Sequence, residues 1–179
     1  MAKNIFEPMM AKLKADPKKI VFTEGTDERI LEASSRLLQD GFLTPVLVGK
    51  VEEVKAAAEK FGFDIAGAEI VDPDNFDKFG EMVELFCELR KKKGVTPEQA
   101  KEVLSHANYF GTMLVKMGLA DSLLGGATYS TADTVRPALQ VIKTKPGNKI
   151  VSSCFILARP TADGENEILA MGDCAINLK

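Results

Sequence analysis

The sequence predicts an α/β fold: a parallel sheet with helices on both faces, followed by the start of a second α/β domain. Three observations predict it. Short apolar runs alternate with helical segments twice before residue 72, the mark of a parallel α/β layer. The length, 179 residues, equals about 1.2 domains at about 150 residues each. After Lys145-Pro146-Gly147 the alternation stops, and two strand-like segments read as a hairpin. We therefore expect a first domain over residues 1–145 and the start of a second over 146–179.

The elements follow in order. Ile5 to Ala15 carries apolar residues near helical spacing and stops before Asp16-Pro17, so it reads as a helix packed by its apolar face. Lys19 to Thr23 is a short apolar run, broken by Glu24-Gly25-Thr26-Asp27. Ile30 to Gly41 reads as a helix with Gly41 as its stop. Thr44 to Gly49 is the second apolar run, and Val51 to Phe61 is a helix of strong formers. Ala68 to Val71 is the third run. Parallel strands so placed imply right-handed crossovers. Sites in such sheets gather at the carboxyl ends of the strands, which singles out Glu24-Gly25-Thr26-Asp27.

The middle is helical. Phe79 to Lys93 is expected as one helix ended by Gly94, its Arg90-Lys91-Lys92-Lys93 run complementing the helix dipole. Thr96-Pro97-Glu98-Gln99 is a capping box with proline at the first helical position, opening a helix to about Ser105. A further helix covers about Asn108 to Met117, and Ala120 to Leu124 is a strand running into Gly125-Gly126. Asp133 to Lys143 reads as the next helix, with Pro137 in its first turns. Ile150 to Ala158 and Glu167 to Ala175 form the predicted hairpin.

Composition excludes several classes. Apolar residues make up 45% and charged residues 27%, as in an average globular chain. The net charge of −3, from 23 basic and 26 acidic residues, argues against nucleic-acid and anionic-membrane partners. No apolar run approaches the roughly 20 residues of a membrane span. MAKNIFEPMM lacks the apolar core of a signal peptide. Cys87, Cys154 and Cys174 lie in apolar patterns and read as buried free thiols of a cytoplasmic protein. With His106 as the only histidine and no CxxC, no metal site is expected.

The segment Gly125 to Pro137 carries the chemistry. Two glycines permit close backbone approach, and Thr128, Tyr129, Ser130, Thr131 and Thr134 supply five hydroxyls. A helix N-terminus follows, with Arg136 in its first turn. Two readings stay open at this level. The parts suit a phosphate cradle, with Arg136 as a bidentate donor. Equally, Ser130 or Thr131 caps a helix, Asp133 completes a capping box and Arg136 pairs with a surface carboxylate.

The run GGATYSTADTVRPALQVIKT resembles the signature of the phosphate acetyltransferases. So do VFTEGTDERILEA, VLVGKVEEVKA, IVDPDNFD and FCELRKKKGVTPEQA, in the family's order, over about residues 5 to 178. The resemblance implies a three-layer fold of the isocitrate/isopropylmalate dehydrogenase-like kind. It implies transfer of an acetyl group between coenzyme A and inorganic phosphate, with coenzyme A as substrate and no other cofactor. By that resemblance Arg136 holds phosphate or acetyl phosphate, Arg90 lies near the coenzyme A site, and Ser130 and Thr131 line the substrate cleft. The phosphate butyryltransferases share weaker versions of these blocks, but ELRKKKG and STADTVRP favour the acetyl enzyme.

The resemblance also implies a carboxylate base, a serine and a second arginine downstream of residue 179, so the catalytic residues stay unassigned here. Asp27 and Asp133 are carboxylates in suggestive places that do not match the base. The family builds its first domain from both ends of its chain and forms a homodimer through the second. On that expectation the 179 residues alone expose apolar edges and are weakly active or inactive, or act as a non-catalytic anion-binding fragment.

Overall fold

Side-chain alternation along the first strand sets how the sheet is covered. Neighbouring strand residues point to opposite faces. In the computed structural model, which describes residues 6–162 and 166–172, Val21 and Phe22 of β1 (Lys18–Phe22) are both buried, in two different clusters. The same split recurs on β2 (Leu43–Val48), where Val46 and Val48 join Val21 while Leu47 joins Phe22. Burial on both faces requires two helical layers, and these elements supply them.

One layer comprises α2 (Glu28–Asp40) and α3 (Val51–Phe61), which bury Ile30, Leu31, Val54 and Ala58 against Phe22 and Leu47. The other comprises α4 (Phe79–Leu89), α5 (Pro97–Leu104), α6 (Ala107–Lys116) and the stretch that follows α7 (Thr131–Pro137). It buries Met82, Phe86, Leu104, Phe110, Met113 and Val141. Phe110 meets Phe76 edge-on, with ring centroids 5.3 Å apart. With β3 (Glu69–Val71) and β4 (Ser122–Leu124), the strands form one sheet in the order β3-β2-β1-β4, every pairing parallel. The three-layer α/β architecture expected from the alternation is thus present.

Local chemistry explains the boundaries. Asp27 caps α2 by accepting from the Arg29 N–H, and Gly41 closes it at φ 69°. The Thr96–Gln99 capping box is formed in both directions. Three expectations need correction. The helix beginning at Phe79 ends at Leu89, and Lys91–Lys93 is a 3-10 turn, because Arg90 leaves helical geometry. The helix expected over Asp133–Lys143 starts earlier, at Thr131, and Ala138–Ile142 is π-helical. Pro137 has no N–H to donate to the Asp133 carbonyl, so the regular ladder fails there. Helix α1 (Phe6–Ala15) forms as predicted but buries none of its residues, contrary to the expected packed face.

The described residues divide into two compact units. One is Leu13–Lys143; the other comprises the described parts of Met1–Lys12 and Thr144–Lys179. In the second, β5 (Cys154–Pro160) pairs antiparallel with β6 (Asn166–Gly172), with Ile156 opposite Ala170 and Leu157 opposite Leu169. Phe155 is 51% exposed, Ile156 66% and Ile168 51%, so both hairpin faces carry solvent-facing apolar side chains. Cys154 is exposed as well, which corrects its reading as a buried thiol: β5 and β6 pair only with each other and bury little. Cys87 is half-buried, and Cys174 lies outside the described residues. Among the described residues no helix is long and apolar enough to cross a membrane.

Candidate functional site

The loop after β4 crosses the carboxyl end of the sheet beside the loop after β1. Gly25 donates to the Val48 carbonyl at 3.3 Å, which draws the β1 loop onto the end of β2. Gly125 leaves room for the buried Thr23: a Cβ at Gly125 would sit 2.9 Å from Thr23 Oγ1. Gly126 adopts φ 111°, where an L side chain is strained.

Glu24 meets this second loop. Its carboxylate accepts from the N–H groups of Gly126 at 3.3 Å, Thr128 at 2.7 Å and Tyr129 at 3.1 Å. The hydroxyls of Thr128 and Thr23 add bonds of 3.2 and 3.0 Å. Partial burial pushes the Glu24 pKa up, but these donors outweigh it and hold the carboxyl below its ordinary value. Arg29 pairs with Asp27 and donates to the Ala127 carbonyl at 2.7 Å. The amides of Gly126, Thr128 and Tyr129, which precede the helix start that the sequence offers to a phosphate, are therefore engaged by the protein's own carboxylate.

Beyond the loop, α7 presents the predicted substrate residues. Ser130 caps it, accepting from the Asp133 N–H at 3.2 Å and donating to Asp133 Oδ2 at 2.7 Å. Asp133 thus binds the Ser130 hydroxyl instead of the Ser130 N–H, a half-formed capping box. Thr131 is exposed at the first helical position. Arg136 lies 3.8 Å from Asp133 Oδ1, both side chains well exposed, a contact of about 0–1 kcal/mol that leaves most of the guanidinium's donors available.

Helix α6 supplies the opposite wall. Asn108 donates from Nδ2 to the Asp133 carbonyl at 2.8 Å, taking the oxygen that Pro137 leaves without its helical partner. Tyr109 donates to Gln140 Oε1 at 3.1 Å, in the π-helical stretch. A cleft of about 270 Å³ results, lined by His106, Asn108, Tyr109, Tyr129, Asp133 and Arg136. Burial, then the charges of Glu24 and Asp133, push the Tyr129 phenol above its ordinary pKa, so it is a neutral donor at physiological pH. The cleft can hold an anion through Arg136, with phenol and hydroxyl donors beside it.

Of the four residues singled out in the sequence, Arg136 lines this cleft; Ser130 and Thr131 begin α7 between its lining residues Tyr129 and Asp133 but do not line it. Arg90 does not line it. It follows α4 one turn beyond Phe86, whose ring packs edge-on against Tyr109. There Lys143 Nζ donates to the Leu89 carbonyl at 3.4 Å. Sequence reading missed Glu24 and His106. Glu24 lay in the flagged β1 loop, but the amides it binds are 102 to 105 residues away. His106 was weighed only as a metal or triad histidine. Among the described residues no cluster of His, Cys, Asp and Glu is arranged to hold a metal.

Comparison with known proteins finds relatives along nearly the whole chain. The family model described as phosphate acetyl/butaryl transferase matches residues 4–179. The phosphate acetyltransferase of Thermoanaerobacterium thermosaccharolyticum is 46% identical over 175 residues, 97% of this chain and 53% of that protein. That of Bacillus subtilis is 47% identical over 175 residues, 98% of this chain and 52% of its own. A phosphotransacetylase structure from Streptococcus pyogenes superposes with a TM-score of 0.87 at 44% identity, covering 99% of this chain and 53% of that one. One from Staphylococcus aureus gives 0.84 at 43%, covering 96% and 50%. The chain spans about half the length of the curated relatives it matches.

Proposed function

The chain belongs to the phosphate acetyl/butaryl transferase family, and from that premise we propose that it serves transfer of an acetyl group between coenzyme A and inorganic phosphate. A phosphate oxygen bonds to the thioester carbonyl carbon, a tetrahedral oxyanion forms, and the carbon–sulfur bond breaks to release coenzyme A and acetyl phosphate. The observation that carries this reading is the cleft in which Arg136 stands among Tyr129, Asn108 and His106. A phosphate dianion needs a cationic fork, and Arg136 offers one beside the neutral Tyr129 phenol. Positioning phosphate next to the thioester is a large part of what such a wall can contribute.

Ser130 and Thr131 edge the same substrate, and Arg90 meets coenzyme A nearer the end of α4. None of these residues is assigned as the base that accepts or returns the thiol proton. Acetyl is the favoured acyl group because the curated relatives are acetyltransferases. Coenzyme A acts as substrate, and no further cofactor is invoked. An odd number of cysteines, lying in apolar patterns, supports a cytoplasmic setting. The exposed apolar hairpin supports a homodimer contact through the second unit.

Calorimetric titration with acetyl phosphate tests the site. Arg136→Ala is expected to weaken binding by about 1–3 kcal/mol, the scale of a charge-assisted contact. Equal affinity in the two proteins would remove Arg136 from the site. A thiol assay with acetyl phosphate and coenzyme A reports whether the chain turns over.

A further inference from the structure

We propose that Glu24 is a positioning residue that fixes the loop leading into α7, and with it the placement of Tyr129 and Arg136 in the cleft. The claim about what the loop then binds rests on the acetyl-transfer reading above; the claim about the loop's conformation does not. Three backbone N–H groups within four residues, at Gly126, Thr128 and Tyr129, converge on one carboxylate more than a hundred residues away in sequence. A concave set of successive amides is the arrangement proteins use to grip anions. Here the anion is built into the chain, on the loop after β1.

The grip has a second hand. Arg29, in the first turn of α2, donates to the Ala127 carbonyl at 2.7 Å, so Glu24 in the β1 loop and Arg29 just beyond it hold both the donors and an acceptor of the same five-residue stretch. That stretch opens with two glycines, which lose more backbone freedom on ordering than any other residue. Without a partner for its amides the loop has little of its own to hold it. Thr23 is buried, and its hydroxyl donates to Glu24 Oε2, which sets the carboxylate's rotation. Ser130, the cap of α7, follows Tyr129 directly, and Arg136 lies less than two turns further along. Displacing Tyr129 therefore moves both.

Replacement chemistry grades the effect. Glu24→Ala removes every acceptor. Glu24→Gln keeps one acceptor oxygen but turns a neutral amide NH2 group toward the remaining donors. Backbone hydrogen exchange resolved by residue, on the 179-residue chain and both variants, reads the loop. Acetyl phosphate titration on the same proteins reads the site.

We expect exchange at Gly126, Thr128 and Tyr129 to speed up by about tenfold or more in Glu24→Ala, the scale of losing a charged hydrogen bond in a local opening. We expect a smaller increase in Glu24→Gln and unchanged protection of the amides of β1 and β2. Acetyl phosphate affinity should fall in the same graded order. Unchanged loop exchange, or loosening of loop and sheet together, overturns the inference, as does a loosened loop with affinity unchanged. If Glu24→Ala does not fold, Glu24→Gln decides on the same two readings. If the unaltered chain fails to bind acetyl phosphate, the acetyl-transfer reading falls, and exchange alone still decides whether Glu24 fixes the loop.

Discussion

Gly25→Ala is the sharpest test of how the β1 loop is seated. A Cβ at Gly25 would lie 2.7 Å from the Val48 carbonyl oxygen and 3.4 Å from Leu47 Cβ. The first contact is with backbone at the end of a central strand, so no side-chain rotation relieves it. Gly25 also donates to that carbonyl, and separating the chains to admit a methyl group weakens the bond. Overpacking of this kind costs about 1–3 kcal/mol. The gain from a less flexible unfolded chain is about 0.4–1 kcal/mol. The close contact wins, leaving a net loss of about 1–2 kcal/mol, or about 3–6 °C in melting temperature for a chain of this length. Gly80→Ala is the control: it sits in α4 with open space around its Cβ and should stabilise by up to about 1 kcal/mol. Urea denaturation of both variants decides. If Gly25→Ala matches or exceeds the unaltered protein, the β1 loop is not seated against β2 as described.

Two further outcomes follow from the same structure. Asp27 is held below the usual aspartate range, chiefly by its hydrogen bond to Arg29, and so stabilises the fold above that range and loses its contribution as pH falls through it toward the lower folded value. Asp27→Asn should flatten the acid limb of a stability-versus-pH curve while leaving a side-chain cap on α2; an unchanged acid limb would refute the role of that charge. Phe110 is fully buried and edge-on to Phe76, so Phe110→Ala should cost about 3–5 kcal/mol in urea denaturation. A loss below about 1 kcal/mol would show that α6 does not anchor this core.

Much of the architecture was legible because its signals are local. Gly41 needs only its own positive φ to stop α2, and the Thr96–Gln99 box closes within four residues. Short apolar runs alternating with helical segments announced a parallel sheet with helices on both faces before any contact was known. What escaped the sequence depends on distant partners. Nothing near residues 126 to 129 says that their amides are spoken for by Glu24. The lysine run after Leu89 has good helix propensity, yet Arg90 and the αL residue Gly94 confine it to a single tight turn. Arg136 was found from its place at a helix start, whereas its cleft partners Asn108 and Tyr109 come from a different helix.

Pro137 has a consequence beyond the kink it causes. An ordinary residue there would bring its own N–H to the Asp133 oxygen, and Asn108 would have to share the acceptor. By withholding a donor, proline leaves an oxygen on α7 open to a partner from outside the helix, and Asn108 of α6 supplies it. The break thus acts as a keyway: it indexes one helix against another at a single rung, and the wall bearing Arg136 inherits that alignment.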